Sequence, residues 1–179
     1  MSVALLRHVN ALVADLAAEH GRVDLVGRRR ACAPAARDAL VDRFEAYGVV
    51  GGAGLRVHGD RGVLLVRYDE TSGWLEPGAE RLPGESYREC ARRALAEVTP
   101  VEAAIEELAQ VHLLYMDDRI DRPPVPNPYV VFEGRPARRD AGAGNLRPGE
   151  GVADLQWVET IPESLLYDEL AELALPDFG

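Results

Sequence analysis

The richest group of residues able to do chemistry lies in segment 77–101, PGAERLPGESYRECARRALAEVTPV. Its carboxylates include Glu85 and Glu97, and Arg93 lies between them. Carboxylate oxygens are ligands that Mg²⁺ prefers, and arginine pairs with carboxylates through parallel hydrogen bonds. Glu89, Arg93 and Glu97 are also four residues apart, which is the spacing of surface ion pairs on a helix. Metal ligand and surface ion pair therefore both stay open for Glu97.

Histidine and cysteine supply no second set of metal ligands in this sequence. These residues are His8, His20, His58, His112, Cys32 and Cys90. Their separations do not match the short repeats typical of metal sites. The two distant cysteines favour free thiols in a reducing compartment, so we expect a cytoplasmic protein. His58 and His112 fall on predicted strands and could touch a pocket, although a lone histidine is more often hydrogen-bonded near a core.

Composition and charge exclude several classes of partner. The chain has 47% hydrophobic and 28% charged residues, which is typical of a globular domain. Its formal net charge of −10 disfavours nucleic acid and anionic membrane surfaces as partners. Its apolar stretches are shorter than the roughly 18 residues of a transmembrane helix. In so acidic a chain, the basic run Arg28-Arg29-Arg30 is interpreted as a solvated turn.

Helical periodicity marks three segments before the C-terminal region. They are residues 3–19, 34–47 and 86–99. Gly21 and Gly48 follow the first two and are typical helix stops. Near the C-terminus, Thr160 and Glu163 fit a capping box ahead of several leucines. The pattern predicts a C-terminal helix that includes Leu173.

Strand periodicity begins after the second helix. The predicted strands are residues 51–58, 62–68, 104–115, 129–133 and 152–157. The turn Gly59-Asp60-Arg61 joins the first two strands and indicates a hairpin. Residues 117–128 carry four prolines and are predicted to be a surface loop. Residues 134–151, rich in glycine and arginine, form a second loop that is long enough to be functional.

This second loop carries Arg135, Arg138 and Arg139. A guanidinium group grips a diphosphate through bidentate hydrogen bonds. We therefore predict that these arginines contact a phosphorylated substrate. The competing interpretation, simple solubilising charge, stays open.

Residues 79–101 resemble the Nudix box, whose pattern is G-x5-E-x7-R-E-U-x-E-E-x-G-U with U aliphatic. The matching positions are Glu85, Arg93, Leu95, Glu97 and Val101. Upstream, Trp74 and Pro77-Gly78 match the W-x-x-P-G sequence common in that family. The resemblance extends over about residues 49–173, because the predicted hairpin, helix and strands follow the family's order.

The resemblance implies an α/β (α+β) fold, a Nudix-type α/β/α sandwich with a mixed sheet. It divides the chain into an N-terminal helical extension, residues 1–48, and a Nudix-like domain, residues 49–179. The first two helices are expected to pack on the core, and a homodimer through them is the alternative.

The family also implies a chemistry: hydrolysis of a nucleoside diphosphate linked to another group, with Mg²⁺ or Mn²⁺ activating water. Glutamates at box positions 94, 97 and 98 would converge on one helix face. Here Ala94 and Val98 replace two of them, and Glu97 remains. Carried over by position, the catalytic residues are Glu97, Glu85 and Arg93, and the metal ligands are Glu97 and Glu85. Trp74 joins the loop arginines as a substrate-binding residue.

Two further departures from the box are Ala79 and Pro100, each in place of a glycine. Other carboxylates could form a displaced metal site. These are Glu76, Glu80, Glu150 and Asp154. Each is equally consistent with an ordinary surface acid of an acidic protein.

Two functional hypotheses follow from these observations. In one, the protein is a metal-dependent Nudix hydrolase with a weakened or atypical metal site built around Glu97 and Glu85. In the other, it is a non-catalytic Nudix-like module that binds a nucleotide or a protein partner. A nucleotide-type small molecule is the expected partner of the cleft, a protein partner stays open under the second hypothesis, and neither hypothesis fixes the substrate.

Overall fold

A computed structural model describes residues 3–138 and 146–167. It contains three helices and seven strands in the described residues, arranged as a mixed sheet with helices against it. The helices are α1 (Val3–His20), α2 (Pro34–Tyr47) and α3 (Tyr87–Val98). The strands are β1 (Leu25–Ala31), β2 (Gly52–Gly59), β3 (Gly62–Tyr68), β4 (Gly78–Glu80), β5 (Ala103–Asp117), β6 (Val125–Pro136) and β7 (Val152–Val158).

The strand order is β1-β5-β6-β2-β3-β7, and β4 pairs with β2. β1 and β5 are parallel, as are β2 and β6, whereas the other pairs are antiparallel. The predicted mixed sheet and hairpin are therefore confirmed. No helix among the described residues is both long and apolar enough to cross a membrane.

The helix boundaries follow local sequence signals. α2 begins with Pro34 in its first turn, where a missing N–H costs nothing. It ends at Gly48, whose positive φ of 64° gives a left-handed C-cap. Gly21 has a φ of 78° directly after α1. These three helices match the predicted segments to within one residue at each end.

The basic run is not a solvated turn, and the turn interpretation is wrong. Arg28, Arg29 and Arg30 lie in β1, which pairs in parallel with residues 111–117 of β5. This edge strand is mostly exposed and has no alternating apolar pattern. Its backbone hydrogen bonds to β5 hold it in place, and sequence periodicity cannot predict them.

Two other predictions need correction. β6 begins at Val125, inside the predicted proline-rich loop, because β5 offers it a long antiparallel partner. Residues 160–167 are not helical. There the amide of Trp74 donates to the Ser164 carbonyl, and the amide of Leu166 donates to the Trp74 carbonyl, each at 2.9 Å. These bonds between segments replace helical ones, and Leu173 lies outside the described residues.

The central sheet has one apolar and one polar side. Alternate residues of β2, β5 and β6 are apolar and form the main core with α1 and α3. They are Ala53, Leu55, Val57, Val111, Leu113, Val130 and Phe132. The opposite side is hereafter the polar face, and it carries Arg56, Gln110, His112, Tyr129 and Glu133. The strand registers place these five on one side, because Arg56 lies opposite Glu133 and His112 opposite Tyr129.

Candidate functional site: a Nudix helix without its carboxylate cluster

The helix that bears the box begins with a complete capping box. The amide of Glu89 donates to Ser86 Oγ at 3.2 Å, and the amide of Ser86 donates to Glu89 Oε2 at 2.8 Å. These bonds satisfy two of the unpaired N–H groups at the start of α3. Glu89 is therefore a capping residue. Of the possible ion pairs along Glu89, Arg93 and Glu97, the structure has the pair between Arg93 and Glu97.

Arg93 lies at the centre of the site. Its guanidinium donates to both oxygens of Glu85, with Nε–Oε1 at 2.7 Å and Nη2–Oε2 at 3.0 Å. A further nitrogen donates to Glu97 Oε1 at 2.9 Å, and Nη2 also reaches the Glu80 carbonyl at 2.7 Å. Hydrogen bonding from Arg93 lowers the pKa of Glu85. Arg93 thus ties the loop before the helix to the helix itself, and it joins both remaining box carboxylates.

The other two metal positions of the box face the core. Ala94 and Val98 are almost fully buried, with 1% and 3% of their surface exposed. Val98 packs in the main core beside Leu95. The amide of Gly149 donates to the Val98 carbonyl at 3.1 Å, so the chain before β7 also covers this end of the helix. A cation here would meet methyl groups where the family's pattern has oxygens.

The residues present do not fit a cluster of metal ions. Within residues 3–138 and 146–167, no three His, Cys, Asp or Glu side chains are placed to hold one. Glu85 is committed to Arg93 and to the Leu82 amide, which donates to Oε2 at 2.8 Å. Glu97 is 56% exposed and could give at most one weak carboxylate contact to a hydrated ion.

The candidate replacement carboxylates do not converge either. Glu80 pairs with Arg43. Asp154 accepts from the Gln156 side chain at 2.9 Å. Glu150 is exposed. Glu76 is fully buried, on the side of the polar face.

Glu76 is the centre of a second group of polar side chains. The Tyr167 hydroxyl lies 2.5 Å from Glu76 Oε1 and also contacts Oε2. The hydroxyl of Tyr129 lies nearby, and the Glu76 charge adds to burial in raising the pKa of Tyr129 well above its ordinary value. The His112 ring packs edge-on against the Tyr167 ring at 5.1 Å. Burial lowers the pKa of His112, which favours the neutral imidazole at pH 7.

Several polar atoms of this group lack a hydrogen-bond partner among the described residues. They are Tyr129 Oη, His112 Nε2, Arg56 Nη2 and Gln110 Oε1. The other Arg56 nitrogen donates to Glu133 Oε1 at 3.1 Å. Unpaired buried polar atoms cost stability, so this face is the less well satisfied side of the sheet among the described residues.

The predicted substrate-binding residues lie apart from the helix site. Trp74 packs against Val63, Leu65 and Val158, outside the main core. Arg135 lines a cavity of about 490 Å³ with His58 and Asp60. Its guanidinium donates to Glu106 at 3.3 Å.

The structure describes one of the two other loop arginines. Arg138 is exposed, and Arg139 lies outside the described residues. Their roles in substrate binding stay predictions, as does that of Arg135.

The polar face was largely missed by the sequence analysis. His112 was noted only as a histidine on a strand, and Glu76 only as a spare carboxylate. Gly54 held a usable signal: a β-carbon there would lie 2.8 Å from Glu76 Cγ and would also collide with the Tyr129 hydroxyl. Glycine in a strand interior marks such a close approach.

The fold resembles known structures. A NUDIX hydrolase from Nitrosomonas europaea superposes with a TM-score of 0.52 at 18% identity, covering 66% of this chain and 64% of that one. A UDP-X diphosphatase matches with a TM-score of 0.47 at 17% identity, covering 93% and 76%. An Ap4A hydrolase from C. elegans matches with a TM-score of 0.43 at 18% identity, covering 61% and 79%. No curated protein sequence matches.

A match to a family model identifies the family of the chain. The model for the NUDIX domain matches residues 49–170, which is more than half of the sequence. The match includes the box, the central strands and the polar face. The chain therefore belongs to the Nudix family.

Proposed function

We propose that this Nudix domain binds a nucleotide-type ligand, a nucleoside diphosphate linked to another group, without efficient metal-dependent hydrolysis. The observation that carries the proposal is the position of Arg93, which hydrogen-bonds to both Glu85 and Glu97. The family's pattern has metal-binding glutamates at positions 94, 97 and 98, whereas here only Glu97 remains and a guanidinium donates to it.

The energetics of the helix face support this proposal. A divalent ion bound at Glu97 would share this carboxylate with Arg93, which donates to Oε1. It would gain no further protein ligand from Ala94 or Val98. Mg²⁺ demands near-octahedral oxygen coordination and gives up its waters reluctantly. A single exposed carboxylate therefore leaves it mostly hydrated and poorly fixed.

Ligand binding does not need that metal cluster. The polar face offers donors and acceptors that have no partner among the described residues. Sites that recognise small molecules combine apolar walls with a few well-placed polar groups. The tyrosine and histidine rings around Glu76 have this character.

A slow hydrolase is the second candidate, and the exposure of Glu97 favours it. This side chain meets Arg93 through one oxygen in an i,i+4 pair. Such pairs contribute only about 0.3–0.5 kcal/mol. A substrate diphosphate that carries its own Mg²⁺ could therefore recruit Glu97 at little cost.

The test measures binding and turnover together. Calorimetric titration with GDP, ADP and UDP is expected to show binding in the absence of divalent metal. Conversion of a panel of nucleoside diphosphate compounds to nucleoside monophosphate and the phosphorylated second group, followed by chromatography with Mg²⁺ or Mn²⁺, is expected to stay far below the typical enzyme rate of about 10 s⁻¹. The matched variants are Glu97→Gln and, on the exposed surface of α2, Glu45→Gln.

Each result has a distinct meaning. Metal-dependent turnover near that ordinary rate, abolished by Glu97→Gln and retained by Glu45→Gln, would replace the proposal with the hydrolase. Absence of binding to every nucleotide, with the protein folded, would remove both candidates. A homodimer through α1 and α2 is a separate prediction, which analytical ultracentrifugation would test.

A further inference from the structure

A cavity lies between α1 and the Nudix domain. Its volume is about 490 Å³, within the roughly 300–1,000 Å³ of sites that hold small molecules. Its lining residues follow one face of α1 from His8 to His20, and a separation of twelve positions corresponds to about 18 Å of helix axis. The opposite wall includes Tyr87 at the start of α3 and Phe132 of β6. The shape therefore suits an extended ligand that lies along the helix.

This cavity is separate from the site on the box helix. Among the described residues that line it, Glu85, Arg93 and Glu97 do not occur. α1 also lies outside residues 49–170, which the family model matches. The space is thus a product of the way the N-terminal extension packs on the domain.

The interior of the cavity is apolar. Leu12 and Leu16 line it from α1, and Tyr87 and Phe132 line it from the domain. Leu16, Tyr87 and Phe132 are buried, and Leu12 packs against them as part of the main core. The Tyr87 hydroxyl already donates to the Val50 carbonyl at 2.9 Å. A hydrocarbon chain placed here would leave water without displacing a polar contact, which favours binding.

Arg81 brings a positive charge to this cavity that the described residues do not neutralise. Its guanidinium lies over the Tyr87 ring at 4.7 Å, and Nη2 donates to the Gly48 carbonyl at a long 3.4 Å. Its Nε is buried and has no partner in the part of the chain that the structure describes. The neighbouring acid, Glu80, pairs with Arg43 instead. A half-buried cation without a counter-ion is costly, so an anion bound at this position would be stabilised.

The other charged groups of the cavity limit that anion to a single charge. Arg88 lies 4.0 Å from Glu19, which offsets its charge. Asp15 and Glu19 are exposed at the rim, where they repel a second negative charge. Burial and then the Arg81 charge lower the pKa of His8, so this imidazole is neutral at pH 7. One unpaired positive charge therefore remains, and it belongs to Arg81.

We propose that the cavity between α1 and the Nudix domain binds a monocarboxylate with an extended apolar chain. The carboxylate pairs with Arg81, and the chain lies along Leu12 and Leu16. Arginine suits this role because its guanidinium matches the geometry of a carboxylate. The site goes beyond the proposed nucleotide binding and does not depend on it.

The experiment is calorimetric titration of the full-length protein with octanoate, hexanoate, octanamide and inorganic phosphate. Octanamide has the shape of octanoate without its charge, and it is expected to bind at least about tenfold more weakly. Hexanoate is expected to bind at least about fivefold more weakly than octanoate, because it buries two fewer methylene groups. Inorganic phosphate, which has no chain and more than one charge near neutral pH, is expected not to bind this cavity.

A charge variant assigns the carboxylate to Arg81. Arg81→Gln is expected to weaken octanoate binding by at least about tenfold and to leave octanamide binding within about threefold. The matched control is Arg7→Gln, which removes the same charge from the exposed side of α1. It is expected to leave octanoate binding within about threefold, since exposed charges are screened.

A volume variant assigns the chain to the cavity. Ala11 lines the cavity, whereas Ala14 is exposed on another side of α1. Ala11→Leu is expected to weaken octanoate and octanamide binding alike, by at least about fivefold, because the added side chain occupies their space. Ala14→Leu makes the same change on the same helix and is expected to bind both ligands as the wild type does.

Several results would overturn the inference. They are absence of octanoate binding, equal affinities for octanoate and octanamide, and octanoate binding that is unchanged in Arg81→Gln or in Ala11→Leu. If Arg81→Gln does not fold, the two ligands and the alanine pair still decide the question. None of these results bears on nucleotide binding, so the proposed function stands or falls separately.

Discussion

Arg93 and Glu85 form a bidentate ion pair, with Nε–Oε1 at 2.7 Å and Nη2–Oε2 at 3.0 Å. The pair links the loop ahead of α3 to the middle of that helix. Glu85 is only 12% exposed, so the pair is largely shielded from water. This geometry gives the Glu85–Arg93 pair of the box a structural role, as a clamp between the loop and the helix.

Replacement of Glu85 with Gln tests this clamp. We expect a loss of about 1–3 kcal/mol in the free energy of unfolding at pH 7, the range for hydrogen bonds to charged groups. The folded-state pKa of Glu85 lies below its ordinary value of 4.5. Its stabilisation is therefore complete above that value and disappears as pH falls through the folded-state pKa.

Urea unfolding of wild type and Glu85→Gln at pH 7 and pH 3 measures both effects. The difference between the two proteins should be largest at pH 7 and smaller at pH 3. Glu150→Gln, on the exposed surface, is the matched control. A difference that is independent of pH would contradict the ion-pair account.

Restored glutamates at positions 94 and 98 test the box assignment. Both sites are almost fully buried, so Ala94→Glu with Val98→Glu should destabilise the domain by several kcal/mol without metal, about 3 or more. Mg²⁺ should recover part of this stability, because a ligand that binds the folded state stabilises it.

Thermal unfolding with and without Mg²⁺ provides the measurement. The control is Ala94→Gln with Val98→Gln, which matches the volume but adds no charge. An equal Mg²⁺ response in the two double variants would show that positions 94, 97 and 98 do not form the family's metal face.

The capping box makes a separate prediction about Glu89. Ser86→Ala should cost about 0.5–2 kcal/mol, the usual range for an N-cap. In a double-mutant cycle, Glu89→Ala should couple to Ser86→Ala, because Glu89 accepts hydrogen bonds from Ser86. Coupling of Glu89 to Arg93 instead would restore the ion-pair ladder. Urea unfolding of the four cycle members measures the coupling.

The close approach of Tyr129 to the backbone can be tested at Gly78. An added β-carbon there would collide with the Tyr129 hydroxyl, whereas the ring carbon Cζ would lie at 3.1 Å. We expect Gly78→Ala to cost about 1–3 kcal/mol, as overpacking usually does. Tyr129→Phe should recover much of that loss in the double variant. Strictly additive effects would argue against this contact.

The fold could be predicted wherever its signals are local. Pro34 and Gly48 delimit α2, and Ser86 and Glu89 mark the start of α3. These features depend on residues close in sequence, whose geometry a helix or turn fixes without help from elsewhere.

The sequence alone determined that this Nudix domain lacks two helix carboxylates, since Ala94 and Val98 can be read directly. The tertiary structure decided the features that depend on contacts between residues far apart in the chain. β1 exists because β5 supplies backbone partners, although its own residues are arginine-rich and exposed. Glu76 meets Tyr167 across 91 positions. Such contacts depend on how distant strands are brought together, and no local pattern in the chain encodes that proximity.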